Sequence, residues 1–471
     1  MIKESIIVDL QRIVGKENVF TSPECLKTYS YDGTTTWTHK PDVVIFPLNT
    51  KALSQVMKLS NREKIAVTPR GGGTNVSGGS IPISGGIVLC LSKMDRITKI
   101  DKENMMATVE AGVVLQDLVL ELAKEGLFFP PDPQSYYGAT IGGIIAENAG
   151  GPSCLKYGVT KQYVLGMEVI LPTGEIINLG GRTLNNVIGY DLLHIIISSE
   201  GTLGVVTRAD LRLMLLPPAR KTVMAVYGDA VIAGENVSRV LEAGVIPTKI
   251  EYIDNWVINK IEETMPFGLP RDADAVLLFE ADGASEAVER ETEIIVEVAR
   301  KHGAKEVRIA ESINEANQFW MARRVGASAI YRDTKTVLVE DVTVPRGNLP
   351  VLIKRCKELA KKYNLEIVAL GHAGDGNLHP AILTDITDVN HYQKATEAMD
   401  EIFQAAVEFG GVISGEHGIG LEKQKFLMKT IDPTVLTIMK KIKTLLDPNN
   451  IMNPGKIWSE SDKPPLNLRF D

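Results

Sequence analysis

Pro69-Arg70-Gly71-Gly72-Gly73-Thr74-Asn75-Val76-Ser77-Gly78-Gly79-Ser80 continues the strand-like run IAVTP. Glycines reach positive φ without a Cβ clash, so such a loop can turn several backbone N–H groups into one concavity, a nest for phosphate oxygens. Two better-known phosphate loops do not fit. A nucleotide-hydrolase P-loop needs Lys where Gly79 stands, and a Rossmann fingerprint counted from Gly71 needs Gly where Val76 stands. Alone, the stretch could also be a glycine-rich surface turn, though the anion-nest reading is favoured.

Further loops follow in order: Pro131-Asp132-Pro133, Gly138-Ala139-Thr140-Ile141-Gly142-Gly143, Asn148-Ala149-Gly150-Gly151, Lys156-Tyr157-Gly158, and SSEGTLG around Glu200, Gly201 and Gly204. They alternate with β-like runs (VVIFPL, GIVLCL, MATVEAG, MEVILP, LGVVTRADLRL) and with the helical TKALSQVMKLSNREK. Glycine-dense loops recurring in one α/β region predict backbone drawn close to one extended ligand. Pro217-Pro218 marks a boundary, and beyond it strand-like runs (KTVMAVYG, DAVLLFEAD, KTVLVEDVTVP, LEIVALGH) alternate with amphipathic helices, as in an α+β domain. The expected division is 1–218, 219–420 and a C-terminal segment, 421–471. A chain of 471 residues exceeds one ordinary core of roughly 100–200 residues, which agrees with several domains. The net charge of −8 argues against a nucleic-acid surface. MIKESIIVDLQRIVG reads as an amphipathic helix rather than a signal peptide, and no run approaches the roughly 20 apolar residues of a membrane span. A cytoplasmic protein is expected, with any membrane contact peripheral and through a partner. Cys25, Cys90, Cys154 and Cys356 are scattered with no C-x-x-C pair, against a disulfide framework or an iron–sulfur cluster.

The densest chemistry lies in Leu365-Glu366-Ile367-Val368-Ala369-Leu370-Gly371-His372-Ala373-Gly374-Asp375-Gly376-Asn377-Leu378-His379-Pro380. Asp-Gly is a favoured two-residue hairpin turn, and centring it on Asp375-Gly376 makes His372 and His379 direct cross-strand partners. Opposed Cβ atoms lie about 4.5–5.5 Å apart, so two imidazoles could close on one metal ion. Ser414-Gly415-Glu416-His417-Gly418-Ile419-Gly420 offers a carboxylate ligand in Glu416 and a proton acceptor in His417. Without the hairpin this pair reads equally well as a solvated turn.

PRGGGTNVSGG, GATIGGIIAENAGG and SEGTLGVVT together resemble the FAD-binding signatures of the vanillyl-alcohol oxidase / p-cresol methylhydroxylase flavoprotein family. GHAGDGNLH and SGEHGIG resemble its D-lactate, glycolate and D-2-hydroxyglutarate dehydrogenase branch, and the likeness covers nearly the whole chain. The resemblance implies an α+β fold: a two-subdomain FAD-binding domain, an α+β substrate cap domain and a C-terminal helical segment returning to the flavin. It implies FAD held by Pro69, Arg70, Gly71, Gly72, Gly73, Thr74, Asn75, Ser77 and Gly78 at the pyrophosphate. Pro131, Asp132, Gly138, Ala139, Thr140, Gly142, Gly143, Asn148, Gly150, Gly151 and Tyr157 would lie along the flavin path. Glu200, Gly201, Gly204, Val205 and Val206 would approach the adenosine end, and Asn453, in DPNNIMNPGKIW, the ring. The pyrophosphate loop and Gly138–Gly158 contain no histidine, and Cys154 lies outside the family's attachment position, so noncovalent FAD is expected.

The same resemblance makes His372, His379 and Glu416 ligands of zinc, iron or manganese, and His417 the general base. Arg323 becomes the grip on the substrate carboxylate, with Arg324 the alternative, and Asn377 shapes the pocket. The implied reaction is hydride transfer from C2 of a D-2-hydroxy acid to flavin N5. Ala327 and Val337-Leu338-Val339 stand where the D-2-hydroxyglutarate enzymes carry a threonine and a lysine, which favours D-lactate. Glycolate and D-2-hydroxyglutarate are the alternatives. Lacking a relay of its own, the chain is expected to pass electrons to a redox protein such as an electron-transfer flavoprotein. Direct oxygen use, a noncatalytic flavin subunit of a larger redox complex, a metal-dependent hydrolase and a homo-oligomer stay open.

Overall fold

The computed structural model describes residues 2–34, 37–332, 334–458 and 467–468. The chain forms two compact units, the first from 1–149, 159–216 and 416–471, the second from 150–158 and 217–415. The expected division ran without a break to 218; the structure instead places 150–158 in the second unit. There Lys156 Nζ and the Tyr157 hydroxyl both bond to Asp282, at 2.6 and 2.9 Å.

In the first unit, the strands Val43–Ile45, Ile87–Cys90 and Val67–Arg70 run parallel, with Val19–Phe20 antiparallel at the edge. Their buried Val, Ile and Leu side chains suit parallel strands covered on both faces. A second, antiparallel sheet orders Ile176–Gly180, Val164–Ile170, Val205–Arg212, Met106–Glu110 and Ile97–Asp101. Helix Thr50–Glu63 starts where Asn49 Oδ1 accepts the Ala52 N–H at 2.9 Å, and it ends at Lys64 in the left-handed region. The segment after the last long helix returns to this unit: Asn453 N bonds to Val67 O at 2.8 Å, beside the first glycine loop.

The second unit is one large antiparallel sheet, ordered Ala304–Ile309, Ala219–Tyr227, Ala275–Gly283, Lys249–Asp254, Glu366–His372, Asn377–Thr384 and Thr336–Val339. Val342–Thr343 also pairs with Asn377–Thr384. The expected single strand through VLVEDVTV thus breaks at Glu340-Asp341, both fully buried. Helices Asn255–Thr264 and Ile313–Arg332 pack on this sheet through Val257, Ile258, Ile261, Phe319 and Ala322.

The hairpin differs from its expected register. Leu370, not His372, stands opposite His379, and the turn is a short 3-10 segment, Ala373–Asp375, closed by Gly376 at φ 83°. A further strand explains this: Lys249–Asp254 pairs with Leu370–His372 on its other side and places Glu251 opposite His372. The slip is two residues on one strand, and because strand side chains alternate with period two, both histidines keep the same sheet face. Their ring centres are 5.2 Å apart.

Asp254 caps helix Asn255–Thr264 by accepting the Val257 N–H at 3.0 Å and also accepts the Ala369 N–H. Burial pushes its carboxyl up to about 7 despite these bonds and nearby Lys357, with Asp274 adding to the rise. A raised carboxyl pKa gives stability that is complete at low pH and is lost as the pH climbs through the folded value. Asp254→Asn cannot ionise, so the stability difference between wild type and variant should fall by roughly 1 kcal/mol or more between about pH 4 and 7. Thermal unfolding across that range checks it; a flat difference would exclude the assignment.

Candidate active site

Within the first unit, three glycine loops meet at close range. A Cβ on Gly72 would stand 1.9 Å from the Gly138 carbonyl oxygen, one on Gly71 2.1 Å from Thr140 Oγ1, and one on Gly201 2.6 Å from Pro69. Gly73 and Gly78 adopt positive φ, 68° and 78°. These approaches exclude side chains and fit the close backbone cradle that an extended dinucleotide requires. Loop side chains brace the cradle from behind. Arg70 donates to Tyr31 O at 2.6 Å, and Asn75 Nδ2 donates to buried Asp32 at 2.7 Å. Ser77 O receives the Leu421 N–H at 2.8 Å.

The remaining residues expected along the flavin divide between the units. Pro131, Ala139, Thr140, Val205 and Val206 are buried, and Asp132, Gly142, Gly143 and Asn148 are half-buried, all in the first unit. Gly150, Gly151 and Tyr157 belong to the second, and Tyr157 spends its hydroxyl on Asp282. Asn453 Nδ2 donates to Gly79 O and Glu200 O at 2.8 and 2.9 Å. Glu200 accepts the N–H groups of Ile419 and Gly420 at 2.8 and 2.7 Å, so it anchors the stretch that begins with Glu416 and His417. Burial raises the Glu200 carboxyl and lifts neighbouring Glu147 well above the ordinary carboxylate range.

Within the second unit, fully buried Glu251 joins two predicted site residues. Its Oε1 is 2.7 Å from His372 Nδ1, and its Oε2 is 2.7 Å from Arg323 Nε. Buried Asp341 lies 3.8 Å from His379 Nδ1 and accepts from Asn377 Nδ2, Ser414 Oγ and the Gly415 N–H at 2.7, 2.8 and 2.9 Å. Asp341 therefore fixes the residue that immediately precedes Glu416. His372, His379, Arg323 and Asn377 are thus assembled in this unit. Glu416 and His417 open the last stretch of the other one, with their side chains 4.0 Å apart. Glu251 engages His372 Nδ1 and leaves Nε2 to serve as a ligand atom, and ligand atoms of His372, His379 and Glu416 all lie within 4.8 Å of one another, so these residues could hold a divalent ion. Glu251 and Asp341 were not singled out from sequence. Their signal was there, an acidic residue inside the apolar runs KIEYID and VLVEDVTV.

The cradle is directly testable. Gly72→Ala should give protein that keeps its fold by circular dichroism but purifies without flavin colour. A yellow variant with the wild-type flavin content would show that the Gly72–Gly138 approach is not required.

Two family models match the chain: an FAD binding domain over residues 41–180 and the FAD linked oxidases, C-terminal domain, over 216–457. The glycolate oxidase subunit GlcD of Bacillus subtilis is 41% identical across 98% of both chains. A D-lactate dehydrogenase of Anaerostipes hadrus is 35% identical over 89% of this chain and 90% of its own. Among solved structures, p-cresol methylhydroxylase superposes with a TM-score of 0.80 at 19% identity, covering 98% of this chain and 97% of that one, a likeness of fold. With both models matched in order and relatives aligned end to end, the chain belongs to the FAD linked oxidases.

Proposed function

We propose that this chain oxidises a small D-2-hydroxy acid, D-lactate first, to the 2-oxo acid and hands the electrons to a separate redox protein, an electron-transfer flavoprotein being the best fit. The observation that carries the reading is Glu251, which backs a carboxylate-binding cation, Arg323, and a metal-binding imidazole, His372, from one rigid position. A 2-hydroxy acid presents the matching pair, a carboxylate and an adjacent hydroxyl.

In this reading His372, His379 and Glu416 hold a zinc, iron or manganese ion, and the loops of the first unit hold FAD without a covalent bond. When bound, the ion lowers the pKa of the substrate hydroxyl and FAD supplies the two-electron acceptor. The chain does the rest. Arg323 binds the carboxylate and fixes where C2 lies. His417 accepts the hydroxyl proton. Asn377, held to Asp341 and Thr343 at 2.7 and 2.9 Å, is a rigid pocket wall rather than a mobile donor.

Val337 and Leu338 are buried in strand pairing with Asn377–Thr384 and offer no cation for a second carboxylate, which supports a monocarboxylate. The relatives named glycolate oxidase subunit favour a second reading, glycolate. A separate acceptor accords with relatives that are named as subunits of glycolate oxidase. No described helix is long and apolar enough to cross a membrane.

Anaerobic D-lactate should bleach the flavin of metal-replete protein while L-lactate leaves it unchanged, as read by visible absorbance. His417→Ala should keep its FAD yet lose substrate-driven bleaching, by roughly a hundredfold or more as expected for a lost general base. Bleaching by glycolate alone would move the substrate to the second reading, and near-normal bleaching in His417→Ala would remove the base from its role. Acid precipitation should leave a colourless pellet; a yellow pellet would mean covalent flavin.

A further inference from the structure

One apolar loop of the first unit stands almost bare. In Leu184-Asn185-Asn186-Val187-Ile188-Gly189-Tyr190, the side chains of Leu184, Val187, Ile188 and Tyr190 belong to residues 67%, 92%, 89% and 94% exposed. Single apolar residues are ordinary on a surface, but four large ones within one short loop mark a site of association. The stretch carries no charged residue. Its shape is nonetheless fixed. Asn186 Oδ1 accepts the Ile188 N–H at 3.1 Å, and Gly189 turns the chain at φ 71°. Just before the loop, Arg182 donates to Asp101 and Asp210 at 2.8 and 3.1 Å, on two strands of the antiparallel sheet. Just after it, Asp191 accepts the His194 N–H at 3.2 Å and begins the short helix Leu192–Ile196.

That helix ties the loop to the flavin cradle. His194 Nε2, midway along it, lies 3.3 Å from Lys161 O, and the Lys161 N–H donates to Asn148 Oδ1 at 2.9 Å. Beyond its far end, the Ser198 and Glu200 N–H groups donate to Ile145 O and Ala146 O at 3.2 and 2.9 Å. Ile145 and Ala146 belong to helix Ile141–Glu147, whose capping residue Thr140 closes on Gly71 of the first glycine loop. A helix of five residues is only about 7 Å long, so one short bonded element separates the apolar loop from the cradle helix.

The size of the patch selects the kind of partner. Its four side chains offer on the order of 500 Å² of apolar surface. That matches the small interfaces of transient redox encounters, under about 1,200 Å² in total, and falls short of the roughly 2,000 Å² or more typical of an obligate dimer.

We propose that Leu184–Tyr190 is the docking point of the electron-accepting protein, a partner that lays an apolar surface beside its own flavin. The proposal rests on the reading above in which electrons leave to a separate redox protein. For each FAD reoxidised, one flavin of the partner takes up two electrons, and the protons exchange through solvent. Because the loop is uncharged, docking depends little on ionic strength.

The test uses FAD-replete holoenzyme reduced photochemically without substrate, so that docking is read apart from hydroxy-acid chemistry. Reoxidation is followed with two acceptors: the purified electron-transfer flavoprotein of the same organism, and dichlorophenolindophenol, a small dye that needs no docking surface. In Val187→Asp/Ile188→Asp, reoxidation by subsaturating electron-transfer flavoprotein should slow by roughly tenfold or more, while reoxidation by the dye keeps its wild-type rate. Transfer to the electron-transfer flavoprotein within about twofold of wild type in that variant would overturn the docking point, as would equal slowing with both acceptors. A wild-type dimer in sedimentation velocity that the same substitutions dissociate would give the loop to a second copy of this chain and overturn the assignment to a redox partner. If no hydroxy acid bleaches the wild type, the proposed substrate reaction fails, and the photoreduced comparison still decides the docking point.

Discussion

Burying the Glu251 carboxylate is the constraint on which the second unit's chemistry depends. A carboxylate with no exposure is tolerated only when it is paired, and here the partners are the Arg323 guanidinium and the His372 ring. Breaking such a buried set from one side costs on the order of 3–5 kcal/mol. Strand Lys249–Asp254, strand Glu366–His372 and helix Ile313–Arg332 therefore cannot slide independently, since each supplies one member. That locks the arginine and the imidazole to one fixed carboxylate.

The first unit solves the opposite problem, making room for a polyanionic ligand by removing side chains. Gly72 brings backbone against the Gly138 backbone, while Gly71 and Gly201 admit the side chains of Thr140 and Pro69. Asp32 collects Asn75 and Ser80, Asn453 bridges Gly79 and Glu200, and Lys456 Nζ bonds to Ile81 O at 2.5 Å. The cradle is thus stiff on its inner side. Stretches distant in sequence, around residues 32, 75, 200 and 453, are tied into it through these bonds.

Fold and chemistry are separate questions here. p-Cresol methylhydroxylase shares the architecture at 19% identity, so the fold alone cannot name a substrate. In the second unit, Glu251 and His372 on neighbouring strands meet Arg323 from helix Ile313–Arg332.

Much of this was legible in the sequence. The glycine loops, the strand runs around them and the two histidines flanking Asp375-Gly376 each announce themselves through local rules of backbone freedom and side-chain alternation. Those rules could not set the hairpin register, because Asp-Gly permits a two-residue turn, whereas pairing with Lys249–Asp254 holds His372 in the sheet and lengthens the turn. Nor could they find Glu251 and Asp341 as partners of His372 and His379, since these contacts join residues 121 apart in the first case and lie across a broken strand in the second. Local sequence determined which residues were equipped for the chemistry. Only the packing of strands from distant parts of the chain decided which of them would share a buried charge, because burial, not sequence spacing, makes that pairing obligatory.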